Sequence, residues 1–210
     1  MSKQEISPSV IRRLPRYHRF LGELADKGTV RISSKELSQQ MGMTASQIRQ
    51  DLNCFGGFGQ QGYGYNVTFL YAKICELLGV GAGFSAIVVG AGDLGRALSR
   101  SDMFEKRGVD VISLFDVNPA LIGQTVNDVP IRDAVKLEDF CRENRVDLAV
   151  LTVPKAQSEA VASRLVACGV HGIWNFTGKE LSIDSIPVEN VHLGDSLMIL
   201  EYRLNQENPT

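Results

Sequence analysis

One stretch restricts the fold of this chain more than any other: Phe84 to Gly95, FSAIVVGAGDLG. A short apolar run, Ala86-Ile87-Val88-Val89, breaks into Gly90-Ala91-Gly92-Asp93-Leu94-Gly95 and then into Arg96-Ala97-Leu98, which reads as helix. Strand, G-x-G-x-x-G and helix in that order form the dinucleotide-binding fingerprint. Gly90 is expected to make the tight turn, and Gly92 to let the backbone approach a pyrophosphate. Gly95 is expected to let helix and strand pack closely, with the helix N-terminus turned to the phosphates. Ala91, Asp93 and Leu94 complete the loop. A second strand, Val109 to Phe115, ends in Asp116. That acid has the spacing of a carboxylate that accepts from the ribose hydroxyls of the adenosine. The competing reading is a glycine-rich turn that binds nothing, and the strand, helix and acid around it argue against that.

Charge divides at Gly81. Ten Lys or Arg stand against six acids before it, about +4; twelve stand against eighteen after it, about −6. A mildly acidic whole therefore hides a basic first third, as expected where one part meets phosphate and the other does not. No apolar run approaches membrane-spanning length, and MSKQEISPS is not a secretory leader. Cys54, Cys75, Cys141 and Cys168 lack C-x-x-C pairing, and His18, His171 and His192 are dispersed. The thiols are read as reduced and cytoplasmic, and no metal site is expected.

In the basic part, Leu14, Tyr17, Leu21, Leu24 and Ala25 recur at helical spacing, with Pro15 suited to a first turn and Gly28 to a stop. Arg12, Arg13, Arg16 and Arg19 crowd this helix's start with no acid among them. Ser33-x-x-Glu36 and Thr44-x-x-Gln47 are two capping boxes, separated by Gly42. On the second helix Ile48, Leu52 and Phe55 share a face, so Ser46, Arg49, Gln50 and Asn53 point away. Two capped helices joined by a short glycine-containing turn read as a helix-turn-helix. Arg, Gln and Asn are side chains suited to guanine and adenine edges in a major groove. The glycines and aromatics of 56–65 then suit the β-hairpin of a winged helix. A further helix is capped by Asn66, with Phe69, Leu70, Ile74, Leu77 and Leu78 expected inward, and Gly79 to Gly83 form a linker.

Beyond the fingerprint the chain alternates as an α/β sheet should. Residues 136–145 and 155–168 read as helices, 146–153 and 172–176 as strands, and 188–191 as a last short strand. Residues 195–204 form a helix that is apolar on more than one face, through Leu197, Ile199, Leu200, Tyr202 and Leu204. Such a helix needs a partner surface.

Taken together, RRLPRY (12–17), SQIRQDL (46–52), FGGFGQQGYGY (55–65), VVGAGDLG (88–95), FDVNP (115–119), LTVP (151–154) and WNF (174–176) resemble the bacterial redox-sensing transcriptional repressor Rex family. The resemblance spans Ile11 to about Leu204. It implies an α/β chain with an N-terminal winged-helix DNA-binding domain at 1–80 and a Rossmann NAD(H)-binding domain at 81–191. A C-terminal helix, 192–210, would be swapped between the subunits of a homodimer. The family binds palindromic operator DNA when free or with NAD+, and releases it on binding NADH.

Carried over residue by residue, the resemblance puts the dinucleotide on Gly90, Gly92, Gly95 and Asp116. It puts the nicotinamide beside the backbone of Thr152, Val153, Pro154, Asn175 and Phe176. It places Arg49 on the recognition helix; Arg12, Arg13 and Arg16 are expected to meet phosphate, and Ser46, Gln47, Gln50, Asn53, Gln61 and Tyr63 are the other expected DNA contacts. Arg19, Ser101, His192 and Asp195 are the switch positions. Gln50 and Gln61 stand where relatives usually carry basic residues, Ser101 where they often carry tyrosine and His192 where they often carry aspartate. Asp195 is therefore expected to replace His192 as the acidic partner of Arg19. The alternative function is an NAD-dependent oxidoreductase with an N-terminal dimerisation domain. Lys155 would be its best general acid–base.

Overall fold

The structure, a computed structural model, describes residues 6–54, 59–60 and 63–207. The chain divides into two compact units between Val80 and Gly81. Phe55 and Gln61 lie outside the described residues, as does most of the expected hairpin between them.

In the first unit a short helix α1 (Pro8–Ile11) precedes α2 (Leu14–Asp26), β1 (Arg31–Ile32), α3 (Ser34–Met41), α4 (Ala45–Asn53), β2 (Gly59–Gln60), β3 (Gly64–Asn66) and α5 (Val67–Leu78). Leu14, Tyr17, Leu21 and Leu24 occupy one face of α2 and are buried against Leu37, Met41, Ile48, Leu52, Leu70 and Ile74. Burial of these side chains, at roughly 25 cal/mol per Å2 of apolar surface, is the main term holding so small a unit. The boundaries are local chemistry. Ser33 and Glu36 make the full reciprocal capping box, and Gly42 ends α3 in the left-handed conformation. Asn66 caps α5 by accepting from the Phe69 amide at 2.8 Å. The three short strands form a sheet in the order β1-β3-β2, antiparallel throughout.

Two expectations are corrected here. Thr44 caps α4 by accepting from the Gln47 amide, but the Gln47 side chain does not reach back; it donates to Asp51 instead. Phe69 and Leu77 are exposed rather than inward, because α5 turns Val67, Leu70 and Ile74 to the core.

Asp51 is the polar centre of this unit. It lies among apolar neighbours on the buried face of α4 and is 1% exposed. Its Oδ2 accepts from Arg13 Nε at 2.7 Å and from the Tyr17 hydroxyl at 3.0 Å. Its Oδ1 accepts from Arg13 Nη2 at 2.7 Å and from Gln47 Nε2 at 3.1 Å. Burial pushes this carboxyl up, but the bonds from Arg13, Gln47 and Tyr17 outweigh it and hold the group below its ordinary value. The bidentate pair ties the start of α2 to α4.

The second unit runs β4 (Phe84–Val89), α6 (Asp93–Arg100), β5 (Val109–Asp116), β6 (Thr125–Val126), β7 (Val129–Asp133), α7 (Leu137–Glu143), β8 (Leu148–Leu151), α8 (Ser158–Ala167), β9 (Gly172–Asn175), β10 (Val188–Asn190) and α9 (Leu193–Glu207). Its sheet has seven strands in the order β10-β9-β8-β4-β5-β7-β6, parallel except for the β6–β7 pair. Leaving aside β6, this is the doubly wound dinucleotide-binding order, reversing between β4 and β8. Alternating residues of each strand serve opposite faces. Ile87, Phe115, Ala149 and Ile173 pack under α7 and α8, while Val88, Leu114, Val150 and Trp174 pack with Leu98 of α6 and with Phe104.

The β6–β7 hairpin was not anticipated. Asn127 and Asp128 form its two-residue loop, both at positive φ (48° and 64°), as a type I′ connection requires. Most other elements of the second unit contribute a buried residue, though β10 does not. α9 has no buried residue, and Leu197, Met198, Ile199, Leu200, Tyr202 and Leu204 are all exposed.

The Asp51 network makes a testable statement. Removing one partner of a buried ion pair typically costs about 3–5 kcal/mol, so Arg13→Ala should destabilise the first unit by about 3 kcal/mol. The sign of the pH effect follows from Asp51's depressed value. Its contribution is complete above the ordinary carboxylate range, near pH 4, and is lost as acid titrates it through the lower folded-state value. Urea denaturation followed by helical circular dichroism measures both, and a change below about 1 kcal/mol for Arg13→Ala would contradict the assignment.

Candidate dinucleotide site and nucleic-acid interface

The carboxyl ends of β4, β5 and β8 open onto a cleft of ≈ 740 Å3. That volume lies within the range of cofactor pockets. Three glycines shape its mouth in three different ways. Gly90 turns at φ +103°, its amide donates to the Phe115 carbonyl at 2.8 Å, and a Cβ there would meet the Thr152 carbonyl oxygen at 2.7 Å. A Cβ on Gly95 would be driven into the Gly90 carbonyl oxygen, so α6 and β4 approach as closely as backbones can. Gly92, the N-cap of α6, faces open space. The first amides of α6 have no acceptor within their helix and are left to a ligand. A diphosphate fits this cradle by charge and by the missing Cβ.

Thr152 closes the other wall. Its hydroxyl donates to the Gly90 carbonyl at 2.7 Å and its amide to the Val89 carbonyl at 2.9 Å. Val153 and Pro154 line the cleft beside it.

Asp116 does more than the fingerprint asks. Its Oδ2 accepts from the Ala91 amide at 2.6 Å, and its Oδ1 from the Asn118 amide at 2.8 Å. The acid therefore ties the glycine loop to the loop after β5. Each oxygen keeps acceptor capacity for a ribose hydroxyl.

Asp93, fully exposed in the first turn of α6, carries a charge that opposes a phosphate there. Arg96 offsets it with a 2.8 Å ion pair from Nη2.

The lining of the cleft includes an arginine not anticipated from the sequence, Arg164 of α8. Both oxygens of Glu138 accept from it, and Nη2 also donates to the Ala134 carbonyl at 2.8 Å. The guanidinium holds the Glu138 carboxyl down to about 2. This arginine of the cleft wall is thus already committed to Glu138 and Ala134. Its only sequence signal would have been Glu138 and Arg164 on the core-facing sides of successive α/β helices.

Asn175 and Phe176, expected beside the nicotinamide, do not line this cleft. Asn175 is buried at the end of β9, with its side chain spent on Lys179, Asn190 and Thr177. Its carbonyl accepts from the Val191 amide. Phe176 packs edge-on against Trp174 at 4.7 Å. Leu94 is half-buried within the first turn of α6.

On the first unit, Ser46, Arg49, Gln50 and Asn53 are exposed on α4, opposite buried Ile48 and Leu52. Arg49 Nη1 donates to the Ser34 hydroxyl at 3.1 Å, which steadies the guanidinium at the surface. Arg12 and Arg16 are exposed. Arg13 and Gln47, expected to meet DNA, bind Asp51 together with Tyr17, which makes them part of the scaffold of α4. The signal for this was a carboxylate between Ile48 and Leu52, where a charge requires partners. Tyr63 is exposed at the wing, and Arg31, also missed, donates to its carbonyl at 3.2 Å and lies over its ring.

Of the switch positions, Arg19 belongs to the first unit, exposed with its guanidinium 5.6 Å from the Phe20 ring centroid. Ser101 ends α6, and its hydroxyl accepts from the Met103 amide at 3.3 Å. α9 begins at Leu193, so His192 stands just before it rather than sharing a helical face with Asp195. His192 has an acidic partner that sequence reasoning missed: its Nε2 meets Glu180 Oε2 at 2.8 Å. Asp195 is exposed in the first turn. Among the described residues no cluster of three His, Cys, Asp or Glu could hold a metal, and no helix is long and apolar enough to cross a membrane.

Residues 5–53 match the family described as "Putative DNA-binding protein N-terminus", and residues 84–178 the "CoA binding domain" family. The chain is 52% identical over 209 residues to the redox-sensing transcriptional repressor Rex of Caldanaerobacter subterraneus subsp. tengcongensis, covering 99% of this chain and 93% of that one. It is 50% identical over 206 residues to the protein of the same name from Thermoanaerobacter pseudethanolicus, covering 98% and 92%. Among solved structures it resembles RSP in complex with β-NAD+ and operator DNA, with a TM-score of 0.91, 50% identity and coverage of 97% and 94%. RSP in complex with β-NADH matches with a TM-score of 0.89, 47% identity and coverage of 96% and 95%.

If the cleft is organised as described, Asp116→Asn should lose one of the two amide anchors and weaken NADH by about tenfold or more, a hydrogen bond to a charged group being worth ~1.5–3 kcal/mol. Asp116 should also repel a 2′-phosphate while Arg164 stays engaged. Titration calorimetry of NADH and NADPH on the unaltered chain checks this, and equal affinity would overturn both statements.

Proposed function

The chain belongs to the Rex family of redox-sensing transcriptional repressors, and on that premise we propose how it works: as a homodimer it binds palindromic operator DNA when free or carrying NAD+, and releases it when NADH binds. The observation that carries this reading is the pair of half-identical RSP structures, one holding β-NAD+ with operator DNA and one holding β-NADH. Residues 1–80 are assigned to DNA, 81–191 to NAD(H), and 192–210 to a helix exchanged between subunits.

The chain's own geometry supports each assignment. α4 offers Arg49, Gln50 and Asn53 from a helix braced by Asp51, with Arg49 suited to the N7 and O6 of guanine. Arg12 and Arg16 suit phosphate. The Gly92 cradle and Asp116 suit the diphosphate and ribose of NAD(H), which supplies the redox state to be sensed. Thr152, Val153 and Pro154 form the wall along which the nicotinamide half would lie. α9 presents apolar side chains with no cover of its own, and a two-fold partner provides it while matching the two half-sites of a palindrome. Arg19, Ser101, His192 and Asp195 remain the residues assigned to switching.

We read the protein as a regulator and not an enzyme. Lys155, the candidate acid–base, lies outside the lining of the cleft, and no histidine is among that lining. The named relatives are repressors. Its place is the cytoplasm, where DNA and the NADH pool meet.

Fluorescence anisotropy of a labelled palindromic duplex, titrated with NAD+ and then NADH, tests the reading. Binding should survive NAD+ and collapse with NADH. Operator binding indifferent to NADH, or NADH oxidised by a panel of small carbonyl compounds, would overturn it. Arg49→Ala should relax preference at one base pair per half-site by ~1–3 kcal/mol, whereas Arg16→Ala should lower the salt slope by about one without changing preference.

A further inference from the structure

A continuous line of side chains runs from the end of β9 to the root of α9. Asn175 Nδ2 donates to Asn190 Oδ1 at 2.7 Å. Asn190, at the end of β10, donates in turn to Glu180 Oε1 at 3.2 Å and to the Leu181 carbonyl at 2.9 Å. The other oxygen of Glu180 meets His192 Nε2 at 2.8 Å. A carboxylate only accepts, so His192 Nε2 carries a proton and donates. The carbonyl of His192 accepts from the Asp195 amide at 3.1 Å, an opening bond of α9.

Both ends of this line are significant. Asn175 pairs with Leu151 of β8, and the Phe176 amide donates to the Leu151 carbonyl at 2.8 Å. The next residue, Thr152, holds the Gly90 carbonyl at the mouth of the cleft. At the far end, α9 has no buried residue, so packing within its own unit does not set its direction. What sets it is its root: the Val191 amide on the Asn175 carbonyl at 2.8 Å, and the grip of Glu180 on His192.

We propose that Glu180 is a positioning residue of the switch: acting through His192, it fixes the direction in which α9 leaves the Rossmann unit and, through Asn190 and Asn175, ties that direction to the β8–β9 strand ends beside the nucleotide cleft. This rests on the reading of the chain as an NADH-responsive dimer whose α9 makes the subunit contact. Under that reading, a nucleotide that displaces the β8 end reaches the dimer contact through this line. Breaking the line uncouples the two sites and leaves each able to bind.

The test measures, on the full-length protein, the affinity for NADH with and without operator duplex. The ratio of the two is the coupling factor. Glu180→Ala and His192→Ala should each lower that factor by at least about fivefold, the lower end of ordinary allosteric coupling, with NADH affinity of the DNA-free protein unchanged. The double variant should be no worse than either single one, because the pair acts as a unit. His192→Gln, whose amide nitrogen stands where Nε2 does, should restore the coupling that His192→Ala loses. Hydrogen exchange at the Asp195 amide should quicken in both alanine variants and not in His192→Gln, a readout independent of DNA. Unchanged coupling in Glu180→Ala, or no difference between His192→Ala and His192→Gln, would overturn the proposal. If Glu180→Ala does not fold, the two His192 variants decide alone. If the unaltered protein shows no coupling, the regulatory reading fails, while the exchange data still decide whether Glu180 positions α9.

Discussion

The approach of α6 to β4 is the contact on which the second unit depends. Gly95 leaves no room for a Cβ against the Gly90 carbonyl, and that carbonyl is itself held by the hydroxyl of Thr152, which follows β8. Three segments thus converge within van der Waals distance where the strand order reverses. The convergence does two things at once. It lets α6 lie on one face while α7 and α8 cover the other, so the sheet is closed on both sides. It also places the unpartnered amides at the start of α6 directly above the opening between β4 and β8. The packing requirement and the binding site are the same geometry, which is why a fingerprint of three glycines carries so much information.

Carboxylates then fasten what the backbone has brought together. Asp116 joins two loops of the cleft, and Asp51 joins two helices of the DNA-facing unit. Each uses both of its oxygens, Asp51 mainly on Arg13 far away in sequence and Asp116 on one distant amide and one neighbouring amide. A buried or loop-bridging acid of this kind is a poor source of net stability, since its desolvation offsets much of what its bonds return, but it is exacting about geometry. In the first unit that exactness fixes α4 against the start of α2. Arg13 and Gln47 are the residues this requirement draws onto Asp51.

What was legible in the residues was local or repetitive. Capping by Ser33, Glu36 and Asn66, the left-handed glycines 42 and 79, the apolar stripes of α2 and α4 and the strand–loop–helix at 84–100 all follow from neighbours within a few positions. The charge totals also differ on the two sides of Gly81, where the chain divides into two compact units. Harder to see were contacts closed over a dozen residues or more: Arg13 with Asp51, Glu138 with Arg164, Glu180 with His192. A side chain such as Arg13 reads as surface charge until its partner is known. The β6–β7 hairpin is a different case. Its Asn127-Asp128 loop is a local signal for a turn at positive φ, but strands of two and five residues carry too little alternation to announce themselves.

Regulation by the cofactor's redox state puts a thermodynamic demand on such a molecule. A ligand moves an equilibrium only by its difference in affinity for the two states, so NADH must bind the DNA-releasing form more tightly than the operator-binding form. By linkage, operator DNA must weaken NADH by the same factor. The demand therefore falls on whatever differs between the two states, and tightly packed interiors do not deform continuously. The core under α7 and α8 and the core around Asp51 are both of that kind. α9 is not: it buries nothing within its own unit, and its direction rests on a few hydrogen bonds at its root. Rotating an element about such a root disturbs little packing of its own, whereas rotating α6 would drive Gly95 through the Gly90 carbonyl. A switch built on this fold finds its movable part where the core is absent, and its fixed frame where the glycines meet.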